Sequence, residues 1–167
     1  MYEYAPKPKR TKEKWILVLS LLFGSVSFAF SLFEWMLYPV LCQLAAVAFF
    51  TVSVVMLSRY LLRDYIYRVE PRGWDEEGPL DLTVTEIYGK RRTVVCRIAL
   101  SDIREAIRIT DGNREELSQK RKGARSFVYT PEMGDANAIL VTAADGDDLY
   151  FVKICADEEL LSAIFCS

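Results

Sequence analysis

Residues 15–57 read WILVLSLLFGSVSFAFSLFEWMLYPVLCQLAAVAFFTVSVVML. Residues 15–33 are 19 residues without a charge, and residues 40–57 are 18 more. A bilayer core about 30 Å thick needs roughly 20 apolar residues as helix. Each run therefore predicts a transmembrane helix. A secretory signal peptide is another reading of the first run. Against it, the run is longer than a usual h-region, no small-x-small cleavage site follows, and a second apolar run comes almost at once. A buried core helix of a soluble protein is a second alternative. Two adjacent uncharged runs of this length argue against it.

Between the runs lies EWMLYP, residues 34–39. Six residues leave room only for a tight antiparallel hairpin. Pro39 suits the first turn of the second helix, where its missing N–H costs nothing. Trp35 and Tyr38 would stand at one headgroup level, and Trp15 and Tyr60 at the other. Glu34 falls at the outer end of the first span and reads as an end marker that reaches interfacial water. Gly24, Ser25, Ser27 and Ser31 offer small and hydroxyl residues for packing between the spans or between copies of the hairpin.

Flanking charge gives an orientation. Lys7, Lys9, Arg10, Lys12 and Lys14 precede the first span, and Arg59, Arg63, Arg68 and Arg72 follow the second. The connection between the spans, residues 34–39, holds no Lys or Arg. The positive-inside rule then predicts a multi-pass protein of the cell membrane with both termini cytoplasmic. The chain divides into a basic N-terminal segment (1–14), a two-helix transmembrane hairpin (15–63) and a cytoplasmic domain (64–167).

The cytoplasmic part has mainly a period of two. LDLTVTEIY (80–88) puts Leu80, Leu82 and Val84 on one face, and RRTVVCRIAL (91–100) puts Val94, Cys96, Ile98 and Leu100 on one face. With Gly89-Lys90 between them they predict a β-hairpin. AILVTA (138–143) and DLYFVKI (148–154) flank ADGD and predict a second hairpin. YIYRVE (65–70) and SFVYT (126–130) add strands. SDIREAIRI (101–109) fits a helix by Ile103, Ala106 and Ile107 and a strand by Ile107 and Ile109, and the reading taken is a turn at Ser101-Asp102 and then a strand. DGNREELSQKRKGAR (111–125) is polar and reads as a long loop. DEE (75–77), beside Trp74 and Gly78, reads as a linker. In ADEELLSAIF, Asp157 suits an N-cap, and Leu160, Leu161 and Ile164 share one helix face. The expected fold is about seven antiparallel strands closed by a C-terminal helix.

That order resembles a pleckstrin-homology-like (PH-like) fold. CRIALSDIREAIRI is similar to the strand-then-turn segment of bacterial PH-like domains, and LYFVKICADEELLSAI to their last strand and closing helix. Two spans followed by such a domain resemble small bacterial membrane proteins with a PH-like or YcxB-like C-terminal region. The resemblance implies a mainly-β PH-like domain held at a membrane. It carries over no catalytic residue.

Chemistry is narrowed by composition. The chain has 167 residues and no histidine, which removes Ser-His-Asp and Cys-His systems and His-based zinc sites. No Gly-rich phosphate loop of known type is present. DGDD (145–148) is too short for an EF-hand loop and stands where a turn is needed. Cys42, Cys96, Cys155 and Cys166 lack metal or redox spacing and read as small buried hydrophobes. The expectation is a non-enzyme without catalytic residues, metal or cofactor.

Charge is segregated along the chain. Residues 69–89 hold one base and six acids, residues 90–125 eleven bases and five acids, and residues 126–167 one base and eight acids. Lys90, Arg91, Arg92, Lys120, Arg121, Lys122 and Arg125 are therefore the candidate contacts to an anionic lipid surface, each contributing about 1 kcal/mol near such a leaflet. The alternative is that these bases pair with flanking acids or are simply solvated. Nucleic acid is not an expected partner, since the domain is net acidic and lacks a basic-aromatic motif. Two functions follow: an interaction module that binds a protein partner or a second copy at the inner face of the bilayer, or a module that contacts anionic lipid.

Overall fold

The computed structural model describes residues 2–33, 38–72, 78–134, 137–146 and 148–165. Glu34, Trp35, Trp74, the DEE run, Asp147 and Cys166 lie outside the described residues. The chain forms two compact units, Lys9–Arg63 and the pair of segments Met1–Pro8 and Asp64–Ser167.

The first unit is an antiparallel pair of helices, α1 (Thr11–Ser31) and α2 (Pro39–Met56). Pro39 stands in the first turn of α2. A π-helical turn, Leu57–Leu61, extends α2. Both helices are long and apolar enough to cross a membrane. Only 17% of each apolar window is buried, so most of the hydrophobic surface points outward, which a core helix of a soluble protein does not do. Gly24 is buried where the helices meet, since a Cβ there would stand 3.0 Å from the Phe50 ring and 3.3 Å from the Phe49 Cβ. Ser20 and Ser53 share a buried hydrogen bond of 2.7 Å between their Oγ atoms. Of the four small residues expected at the interface, Gly24 and Ser31 are buried, Ser27 is partly buried and Ser25 is exposed. Arg10 closes the open end: its guanidinium donates to the Leu61 and Arg63 carbonyls at 3.0 and 2.7 Å. Leu61 ends the last helical turn, where carbonyls have no intrahelical donor.

The second unit is mainly β. One sheet has the order β1-β2-β3-β4, from Tyr2–Tyr4, Arg63–Pro71, Leu80–Tyr88 and Arg91–Ala99. The other has the order β5-β7-β8-β6, where β5 is Ile103–Arg108, β6 Arg125–Tyr129, β7 Ala138–Asp145 and β8 Asp148–Cys155. A short helix α3 (Arg114–Lys120) precedes β6, and α4 (Glu158–Phe165) ends the described chain. The core lies between the sheets: Tyr67, Leu82, Val84 and Ile98 face Ile139, Val141, Val152 and Ile154, and Leu160 and Ile164 of α4 complete it. Asp157 caps α4, accepting the Leu160 N–H at 2.8 Å.

Both hairpins have two-residue loops, with Tyr88 opposite Arg91 and Asp145 opposite Asp148. Gly89 and Gly146 take φ of +59° and +64° there, a conformation that favours glycine.

The β unit differs from the sequence reading in four places. The N-terminal segment is more than a basic leader. Its first residues form β1, which pairs antiparallel with β2, Tyr2 opposite Val69 and Tyr4 opposite Tyr67. There are thus eight strands among the described residues, and β6 runs parallel to β8, so the strands are not all antiparallel. The 111–125 segment holds a helix, because Leu117 is 4% exposed and docks on Ile109, Ala138, Leu140 and Phe151. Finally, Val94 is 54% exposed rather than in the core. A bulge causes this: Val84 pairs with Cys96 and Thr85 with Val94, which leaves Val95 as an extra residue. One extra residue moves every following side chain to the other face.

Candidate functional site

The seven candidate bases fall in three places. Lys90, Arg91 and Arg92 are exposed at the β3–β4 turn. Lys120 ends α3 and pairs with Glu116 at 3.6 Å, one helical turn back. Lys122 is exposed. Arg121 folds back on β6, and its Nε and Nη2 donate to Ser126 Oγ at 3.0 and 2.6 Å.

Arg125, at the start of β6, enters a different setting. It lines a cavity of about 340 Å³ with Arg72, Arg97, Asp102, Asp145 and two aromatics, Phe127 and Tyr150. Beside it, Asp81 is 1% exposed. Its Oδ2 accepts from Arg72 Nε at 3.1 Å and lies 3.9 Å from Arg97 Nε, while Arg97 also reaches Glu70 at 3.4 Å. Asp81 Oδ1 and Thr83 Oγ1 are buried without a hydrogen-bond partner among the described residues. Among the described residues the ion pairs here belong to Arg72 and Arg97, with Asp81 and Glu70, and not to Arg125.

The 90–92 turn stands apart from Arg125. Arg91 and Arg97 are six residues apart on one strand, roughly 20 Å at strand rise. Arg97 shares its cavity with Arg125. No single small headgroup spans that separation, although a flat surface can meet both ends.

A second and larger cavity, about 600 Å³, lies between α3 and the outer face of the β5-β7-β8-β6 sheet, and Arg121 is on its wall. Arg114 and Lys153 line it too, and neither was singled out by the sequence. Lys153 carried a signal: it is the one base among residues 126–167, placed on an otherwise apolar strand. Arg114 carried none, because its position depends on a helix that only tertiary packing creates.

Burial raises the Cys155 thiol to about 11, so it stays protonated at neutral pH. Burial likewise raises Cys96. Tyr67 is raised well above its usual value by burial, and its hydroxyl donates to the Tyr129 carbonyl at 2.6 Å. These are core groups. No cluster of three or more metal-ligating acids or cysteines occurs among the described residues. Comparison with protein-family models, curated proteins and solved structures finds no match for the chain.

Proposed function

We propose that the chain is a membrane-anchored interaction module. In this reading the helical hairpin crosses the cell membrane, both termini are cytoplasmic, and the β unit is a PH-like domain that associates with a second copy or a protein partner. The two sheets, the common core and the closing helix support the PH-like assignment. The β1–β2 pairing supports a common side for both ends of the hairpin, because strands cannot pair across a bilayer. The basic flanks support the cytoplasm as that side.

The observation that carries self-association is strand β4. It is the outer strand of its sheet, its first four residues are exposed, and the bulge turns Val94 outward at 54% exposure. An edge strand with an outward apolar side chain is a template for a further strand. Two copies meeting at β4 across a two-fold axis would each present the same surface, as an isologous interface requires.

Oxidative crosslinking of full-length Val94→Cys in native membranes tests this. A disulfide-linked dimer is expected with Val94→Cys and not with the unmodified chain or with Ser118→Cys. Absence of any crosslink at Val94, with a monomer seen at all protein-to-lipid ratios, would remove the reading.

The second reading, contact with anionic lipid through Lys90, Arg91, Arg92, Lys120, Arg121, Lys122 and Arg125, is favoured by the exposure of the β3–β4 turn. It predicts salt-sensitive binding of the β unit to anionic vesicles that is lost on charge reversal at Arg91 and Arg92.

A further inference from the structure

The larger cavity differs from the rest of the β unit in what it gathers. Its floor is apolar, with Leu117 from α3, Leu140 from β7 and Met133 from the segment before β7. Three cations reach it from separate parts of the chain: Arg114 at the start of α3, Arg121 just after its end, and Lys153 in the middle of β8. Lys153 pairs across the sheet with Leu140 and is only half accessible, so its ammonium has lost part of its water.

That gathering is unfavourable by itself. Burial first, then the Arg114 and Arg121 guanidiniums, lower the Lys153 pKa below its usual value. Arg121 is oriented by a neutral hydroxyl, Ser126, and makes no ion pair with a carboxylate among the described residues. Asp111 and Glu115 also line the space.

We propose that this groove binds a phosphate-bearing anion, its oxygens among Arg114, Arg121 and Lys153 and its apolar part on Leu117, Leu140 and Met133. Two guanidinium forks and an ammonium suit a group with three or four oxygens spread in space. About 600 Å³ falls within the range of small-molecule pockets, with room for more than the phosphate. The phosphate can come from a lipid headgroup or from a soluble phosphate ester. The site shares no residue with the β4 edge and does not depend on self-association.

The test uses the full-length protein in nanodiscs of pure phosphatidylcholine, titrated with hexyl phosphate and with inorganic phosphate. Hexyl phosphate is expected to bind, and more tightly than inorganic phosphate. Arg121→Gln and Lys153→Met should each weaken it on the order of tenfold, as expected for one charge-assisted hydrogen bond. Lys153→Arg should restore it, and Arg104→Gln, on exposed β5, should leave it unchanged. Nanodiscs containing phosphatidic acid separate the sources. Loss of hexyl phosphate binding there assigns the groove to a headgroup, and retained binding assigns it to a soluble ester. The proposal is overturned if hexyl phosphate does not bind, or if Arg121→Gln and Lys153→Met bind it as the unmodified chain does.

Discussion

Helix α3 has seven residues and should exist only because Leu117 holds it to the sheet. Isolated helices shorter than about 12–15 residues are marginal in water, so its own propensity cannot sustain it. Leu117→Ala removes three carbons from a site that is 4% exposed. At about 0.8 kcal/mol per methylene, transfer alone gives about 2.4 kcal/mol. The residual-hole contribution should be small, because the site borders an open groove that can collapse or fill with water. A cost of about 2.5–3 kcal/mol is expected. It should fall on α3 rather than on the whole unit, because the main core between the sheets does not include Leu117. Hydrogen exchange by mass spectrometry on the full-length protein separates the two cases. Amides of residues 114–121 should exchange about a hundredfold faster, following the ratio of roughly tenfold per 1.4 kcal/mol. Those of β7 and β8 should keep their protection. Leu160→Ala, fully buried in the main core, should instead lower protection throughout the β unit. If Leu117→Ala left exchange at 114–121 unchanged, or lowered all strands equally, the account of α3 as a separately docked element would be wrong.

Asp157→Ala removes the α4 cap, costing about 1 kcal/mol of stability, and also the acceptor of the Tyr2 hydroxyl at 2.6 Å. In a double-mutant cycle with Tyr2→Phe the losses should be less than additive, and strict additivity would mean the two ends are not coupled through that bond. Gly24→Val places methyl groups against Phe50 and Phe49 and should part the helices. The readout is a Ser20→Cys/Ser53→Cys disulfide, expected to form readily when Gly24 is kept and poorly when Gly24→Val is added. Alkali should weaken the β unit. The folded chain holds the Cys155 proton to about pH 11, whereas the unfolded thiol loses it near 9.0. The stability tied to this group is complete below pH 9 and is lost as pH rises to 11, by up to about 3 kcal/mol. Raised tyrosines, Tyr4, Tyr67, Tyr129 and Tyr150, add to the alkaline loss. The contribution of Cys155 is therefore the difference between the melting profiles of the unmodified chain and Cys155→Ala, which should narrow across that window.

What the sequence displayed was local. Nineteen and eighteen uncharged residues mark the helices, Pro39 marks a start, Gly89 and Gly146 mark turns, and Asp157 marks a cap. Each signal is complete within a few residues. What it hid depends on distant partners. The strand YEY is three residues long and becomes a strand only by pairing with residues 67–69. The β4 bulge is a property of register, and alternation read from one strand alone puts Val94 on the wrong face. Helix α3 follows from one leucine meeting a floor made by residues up to 34 positions away. The candidate site divides the same way. Arg121 and Arg125 stood out in a basic run, whereas Arg114 and Lys153 join Arg121 only through the folded sheet.

The pairing of β1 with β2 has a consequence for biosynthesis. The three residues that open the described chain can complete their sheet only after about sixty more have been made and the hairpin between them has been placed. If the hairpin crosses the bilayer, a chain that inserts a single span leaves β1 and β2 in different compartments. Its sheet then lacks an edge, and the Tyr2–Asp157 bond cannot form. In that case folding of the β unit would act as a checkpoint on insertion, since only a chain with both spans in place could complete the sheet. Under the same condition the completed β1–β2 pair would oppose withdrawal of either span.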